Sequence, residues 1–263
     1  MEWRENEGVR WLEADLGGAR AAFLTRLGGV SEPPFDSLNL GILTDDDPEA
    51  VARNRRRLAS ALGREPEQIV FALQVHGTRL LRHSEPPHTA AAPSRGSFRT
   101  VGDRKEPRDG GIAEADGHVV TAPGLVPLVF VADCLPVALY GPGGLALVHA
   151  GWRGLAGGVV GAAAEAIAAD RAAIGPGIGP CCYEVGEEVL GAFAGLGDGV
   201  AAGRMLDLPE VARRLLAAAG VSQVESADLC TSCERELFFS HRRDDGRTGR
   251  QAGIAWIEEG EGG

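Results

Sequence analysis

Between positions 126 and 149 the sequence passes through three apolar runs, 126–132 (VPLVFVA), 135–140 (LPVALY) and 144–149 (GLALVH), separated only by two or three residues. Each run is too short for a helix of ordinary length, and continuous apolar character without alternation is the pattern of strands buried on both faces. Glycine and proline stand between the second and third runs, where turns are needed. The run ends carry Asp133, Cys134 and His149, so the residues with chemistry sit where buried strands emerge.

The rest of the chain reads around these strands. Residues 19–25 (ARAAFLT) predict another strand, followed by an irregular loop through Arg26, Gly28, Gly29, Pro33 and Pro34. Asp47 is an N-cap, Pro48 the first helical residue and Glu49 a first-turn acid, with Val51, Leu58 and Leu62 on one face and Gly63 at the end. Residues 69–73 (IVFAL) predict a short buried strand. Residues 154–170 are small and alanine-rich and read as one helix. Asp207 and Pro209 open another helix that runs to Ala219 and stops at Gly220, and 252–257 is a last strand. Residues 85–111 hold four prolines and mixed charge without periodicity, which predicts a surface loop. Strands and helices mix without a βαβ repeat, internal repeat or composition break, so the expectation is one α+β domain over 1–263.

Composition limits the partners. Lys and Arg number 26 against 37 Asp and Glu, a net charge of -11, which repels phosphate backbones and anionic lipid. Small-molecule substrates are expected, with no nucleic acid and no membrane. No signal-peptide pattern is recognisable at the start, and five cysteines, two of them adjacent, do not make a secreted disulfide framework. The expected location is cytoplasmic, with thiols reduced, metal-bound or reactive.

Three short motifs place a metal-competent side chain beside glycine or a small residue: His76 in 74–77 (QVHG), Cys134 in 132–134 (ADC) and His149 in 149–154 (HAGWRG). Two imidazoles and a thiolate suit a catalytic Zn²⁺ whose fourth position is left for water or substrate. The spacings match no local finger pattern, so a buried cysteine with two hydrogen-bonded histidines is the plain alternative. A nucleophilic Cys134 activated by His149 is another, although it leaves His76 without a task. Cys181, Cys182, Cys230 and Cys233 offer a Cys₄ set, against which stands the poor geometry of adjacent cysteines on one ion. Arg26, Arg153 and the cluster Arg242, Arg243, Arg247 and Arg250 are candidates for holding phosphate or carboxylate, the last group also reading as a solvated face beside Asp244 and Asp245. Asp133 and Asp116 are candidate proton acceptors.

These motifs, together with 25–31 (TRLGGVS), 37–41 (SLNLG), 115–117 (ADG), 178–185 (IGPCCYEV), 242–244 (RRD) and 248–250 (TGR), closely resemble the laccase-domain purine nucleoside phosphorylase family, formerly called multicopper polyphenol oxidoreductases and described in bacteria as peptidoglycan editing factors. The resemblance runs in order from about residue 20 to 257. It implies a layered α/β/β/α fold with mixed sheets, like the cytotoxic necrotizing factor catalytic domain. It implies zinc on His76, Cys134 and His149, phosphorolysis of adenosine, guanosine, inosine and methylthioadenosine, and adenosine deamination. On that reading His76, Cys134, His149 and Asp133 are the catalytic candidates, and Arg26, Asn39, Arg153 and Arg243 the substrate and phosphate candidates. The older name fits poorly: a true multicopper laccase needs a blue-copper centre and a trinuclear cluster, more than six histidines supply, and after Met1 only Met205 offers an axial thioether. Copper binding is expected to be adventitious. The competing readings are a metal-free Cys-His hydrolase or amidase, and a non-catalytic protein that binds nucleosides or peptidoglycan precursors.

Overall fold

The computed structural model describes residues 1–83, 99–100 and 112–259. Its elements in chain order are β1 (Glu2–Asn6), β2 (Val9–Asp15), β3 (Ala19–Leu24), α1 (Pro48–Ala61), β4 (Ile69–Phe71), β5 (Leu80–His83), β6 (Arg99–Thr100), β7 (Gly117–Val120), β8 (Val126–Val131), β9 (Leu135–Gly141) and β10 (Gly144–Ala150). There follow α2 (Trp152–Ala156), α3 (Val159–Ile167), β11 (Arg171–Ile174), α4 (Glu187–Phe193), β12 (Ala201–Ala202), β13 (Met205–Leu206), α5 (Leu208–Ala218), β14 (Gln223–Ser226) and β15 (Gln251–Ile257).

Two mixed sheets stack face to face. One has the order β1-β2-β3-β15-β8-β4-β6, the other β14-β11-β9-β10-β7-β5. Alternation along each strand separates the layers, because successive side chains point to opposite faces. On β3, Ala19, Ala21 and Phe23 face the second sheet, and on β10 Leu145 and Leu147 face the first. Their neighbours turn outward. Ala22 and Leu24 pack with Leu58 and Ala59 of α1, and Ala146, Val148 and Ala150 pack with Val160 and Ala163 of α3 and Val211 of α5. The fold is therefore the α/β/β/α layering expected, and the runs at 126–149 are strands buried on both faces for the reason read from the sequence.

Both capped helices form as expected. Asp47 accepts the amides of Glu49 and Ala50 ahead of α1, and Asp207 accepts the amide of Glu210 ahead of α5. The single helix expected over 154–170 is instead two, α2 and α3, broken at Gly157 and Gly158. The hairpin of β1 and β2 was not expected, since β1 is exposed along its length and carries no apolar alternation. The expected loop at 85–111 lies outside the described residues apart from β6, whose backbone pairs parallel with β4.

His83 and His118 form a stacked pair between β5 and β7, with Nε2 of His83 3.0 Å from Nδ1 of His118. Burial first, and then the charge of His83, push His118 from the usual 6.5 down to about 3. The folded chain thus holds fewer protons here than the unfolded chain once the pH falls below about 6.5, so this site removes stability progressively as pH falls from 6.5 towards 3. His118→Asn should flatten the fall of Tm between pH 7 and about 4.5. An unchanged Tm profile across the same pH series would assign the acid sensitivity to other groups.

Candidate metal centre and substrate cleft

The link from β8 to β9 carries the chain from one sheet to the other, and Cys134 sits on that crossing. The register of β9 with β10 pairs His149 with Pro136, two residues from Cys134. His76 comes from the loop after β4. Gln74 pins that loop to β8, accepting the amide of Phe130 at 2.7 Å and donating to its carbonyl at 2.8 Å. The three ligand atoms of His76, Cys134 and His149 lie within 4.8 Å of one another, and the two imidazoles meet edge to face with centroids 4.8 Å apart. His76 (φ 60) and Asp133 (φ 89) both hold left-handed backbone, which costs a non-glycine residue energy and is retained where surrounding contacts over-determine it.

Asp116 supplies those contacts for His76. Its fully buried carboxylate accepts the amides of Val75 (3.1 Å), His76 (2.9 Å) and Gly77 (2.6 Å), and the Nδ1–H of His149 at 2.8 Å. The Nδ1 bond turns Nε2 of His149 toward Cys134 as a ligand. Burial raises the Asp116 carboxyl, but the His149 bond and the amides of Gly77 and Val75 outweigh it and hold the group below its ordinary value. Burial likewise raises the Cys134 thiol, yet His149 and then His76 bring it down to about 6. His149 itself is pushed down by burial and lifted by Cys134 and Asp116 to about 9. The thiol and imidazole thus stabilise each other's charged forms, and a divalent cation held by these residues would supply the positive charge that the imidazolium otherwise supplies. Position 151 has no room for a side chain: a Cβ at Gly151 would lie 2.8 Å from Cys134 Sγ and 3.3 Å from His76 Cδ2.

A cleft of about 420 Å³ opens over this trio. Its apolar wall includes Ile42, Leu43, Phe130, Trp152 and Tyr183, and Arg153, Arg242 and Arg250 also line it, the guanidinium of Arg242 donating to the Glu184 carbonyl and that of Arg250 to the carbonyls of Thr248 and Gly249. Burial, followed by the Cys134 charge, pushes the Tyr183 phenol up to about 12, so it stays a hydrogen-bond donor near neutral pH.

The other sequence candidates stand apart from the trio or are committed elsewhere. Asp133 lines the cleft, but its two carboxylate oxygens accept Thr231 Oγ1–H and the Arg242 amide, both at 2.7 Å. Arg26 lines a separate hollow of about 830 Å³ that contains none of the three metal-competent residues, and it is bound to the Asp36 carbonyl at 2.6 Å and carboxylate at 2.9 Å. Arg243 lines that same hollow, with its guanidinium donating to Asp244 and to the carbonyls of Thr231 and Phe238. Asn39 is fully buried, donates to Thr44 and Asp46, and accepts the amides of Gly41 and Arg250, so it acts on the cleft only through the backbone of those two lining residues. Of the four substrate candidates only Arg153 faces the trio. Arg242, Arg250 and Tyr183 were legible as members of motifs, but nothing in their spacing distinguished them from their neighbours.

Residues 20–258 match the family model described as multi-copper polyphenol oxidoreductase laccase. Purine nucleoside phosphorylase YfiH of Escherichia coli is 38% identical over 253 residues, covering 91% of this chain and 94% of the relative. Purine nucleoside phosphorylase YlmD of Geobacillus stearothermophilus is 37% identical over 273 residues, covering 94% of each. Among solved structures, hypothetical protein YfiH of Bacillus licheniformis superimposes with a TM-score of 0.80 at 33% identity, over 97% of this chain and 99% of that one. The crystal structure of YlmD from Geobacillus stearothermophilus gives 0.79 at 34% identity, over 97% and 98%.

Proposed function

The chain belongs to the multi-copper polyphenol oxidoreductase laccase family, whose relatives include proteins named purine nucleoside phosphorylase, and we propose that it is a zinc-dependent purine nucleoside phosphorylase. Adenosine, guanosine, inosine and methylthioadenosine are its proposed substrates, with adenosine deamination as a second reaction in the same cleft. The observation that carries this reading is the cleft: an apolar wall sized for a purine, three guanidinium groups and a His-Cys-His donor set share one cavity.

His76, Cys134 and His149 would hold the zinc, and the donor set fits, since both imidazoles and the thiolate converge beside Gly151, where a side chain has no room. When bound, the ion supplies Lewis acidity to activate water or polarise a substrate atom. Cu²⁺ would also bind such donors tightly, but Met205 lies in β13 and not along the cleft. In phosphorolysis a phosphate oxygen attacks the anomeric carbon, and the purine leaves with the glycosidic electron pair. The arginines hold the phosphate in line and balance its charge. Phe130, Trp152 and Tyr183 exclude water around the base, and the Tyr183 hydroxyl donates a hydrogen bond to developing negative charge. The thiolate and imidazolium of Cys134 and His149 also favour a second reading, a nucleophilic cysteine, which metal analysis separates from the first.

The test is phosphate-dependent release of hypoxanthine from inosine by the zinc-loaded protein; absence of release under saturating phosphate would remove the proposal. The arginines sharpen it. A charge-assisted contact is worth about 1.5–3 kcal/mol, so Arg153→Ala or Arg250→Ala should raise the phosphate KM about 10- to 100-fold with little change in the nucleoside KM. Arg26→Ala should leave the phosphate KM nearly unchanged because its guanidinium is held by Asp36 in the other hollow. The reverse order would move the phosphate subsite there.

A further inference from the structure

Four of the five cysteines play no part in the cleft chemistry, yet they converge. Cys181 and Cys182 follow β11, and Cys230 and Cys233 follow β14. The parallel strands β11 and β14 run side by side, and the pairing continues past their ends. The amide of Gly177 donates to Leu229, and that of Thr231 donates back to Gly177. This brings both cysteine pairs to one place, where the four Sγ atoms lie within 4.8 Å of one another. Sγ of Cys233 is 3.3 Å from that of Cys181 and 3.5 Å from that of Cys182. A tetrahedral zinc thiolate with Zn–S bonds of about 2.3 Å has sulfur–sulfur edges of about 3.8 Å, so the cluster already has the dimensions of such a cage. The objection that adjacent cysteines point apart does not hold here, because Cys181 and Cys182 both reach Cys233.

The surroundings are those of ligands and not of a chance cluster. Cys230-Thr231-Ser232-Cys233 is a C-x₂-C turn in which the Cys230 sulfur accepts the Gly179 amide at 3.3 Å and faces the amides of Ser232 and Cys233. Amides directed at a sulfur stabilise it as thiolate, the form that binds metal. Gly179 packs against the cluster, where a Cβ would lie 3.3 Å from Cys230 Cβ, a tight contact, and 3.5 Å from Cys181 Sγ.

We propose that Cys181, Cys182, Cys230 and Cys233 form a second metal site, a closed structural site for Zn²⁺ separate from the His-Cys-His centre. Binding exchanges the thiol protons for the ion and releases them to solvent, with no change of oxidation state. Its position gives it a role. Tyr183 directly follows Cys182 and lines the cleft, and Thr231, inside the C-x₂-C turn, holds Asp133 beside Cys134. Metal at this site would brace one wall of the cleft without touching substrate.

The experiment is zinc counting by native mass spectrometry after dialysis against metal-free buffer. The wild type should carry two equivalents, Cys134→Ala one, Cys230→Ser/Cys233→Ser one, and the three substitutions together none. Cobalt loaded into the Cys134→Ala protein should give the intense charge-transfer absorption of a tetrahedral thiolate site, lost in the triple variant. If the double variant does not fold, Cys134→Ala alone decides, together with thiol titration: four of its cysteines should be unreactive until a chelator is added. A Cys134→Ala protein that retains no zinc, or an intact mass showing a disulfide within the four-cysteine cluster of the freshly purified chain, would overturn the proposal.

Discussion

Each of Cys134→Ala, His76→Ala and His149→Ala should lose one equivalent of zinc and at least about 100-fold in phosphorolysis, a larger loss than the 10–100-fold typical of removing a group that only supports a ligand. Three residues make up the proposed centre, and with two left an ion would compete poorly with water and buffer. The variants should stay folded, because the layered core lies in the sheets and helices and is complete without the metal. His149→Ala should be the least stable of the three, since it removes the partner of buried Asp116. Zinc content, Tm and inosine phosphorolysis measured on the same preparations check this. Full zinc in all three would move the metal away from this cleft. Loss of activity with zinc retained in Cys134→Ala alone would instead make the thiol a nucleophile.

The convergence of the candidate trio was legible because each member stands in a short motif at the end of a buried run, and burial patterns survive in sequence. The ends of β8, β9 and β10 differ by at most one residue from those read in the apolar runs, and the Asp47 and Asp207 caps mark their helices correctly. The break between α2 and α3 was obscured because alanine and glycine are mixed throughout 154–170, so the two glycines that end one helix and start another do not stand out. Asn39, Arg26 and Arg243 stand away from the trio for a reason the sequence does not show. A buried polar residue in a motif looks the same in sequence whether it binds substrate or satisfies backbone, and only the partners decide. Asn39 spends its amide on Thr44, Asp46, Gly41 and Arg250, and Arg243 spends its guanidinium on Asp244 and three carbonyls. Arg250, seven residues after the Arg242-Arg243 pair, lines the cleft because β15 begins just after it and carries it there.

Asp116 was weighed as a proton acceptor, and its geometry assigns it a positioning role whose removal should have effects on both metal and fold. Its carboxylate takes four donors: three successive backbone amides that hold the left-handed turn at His76, and the ring of His149. Asp116→Asn keeps the shape but leaves one oxygen where two were needed. If the remaining oxygen faces His76 and His149, the new NH₂ opposes the amides of Val75 and Gly77, placing donor against donor. If the amide turns over, its NH₂ meets Nδ1 of His149, which must then accept; the proton moves to Nε2, the nitrogen that should bind metal. Each buried donor left unpaired costs about 1–3 kcal/mol. The variant should therefore bind zinc at the cleft about 10- to 100-fold more weakly in chelator competition, with a clear fall in Tm even when the metal is removed from both proteins. A metal-free Tm equal to that of wild type would mean that the three amides find other partners. An unchanged zinc affinity would mean that His149 does not depend on Asp116 for its tautomer.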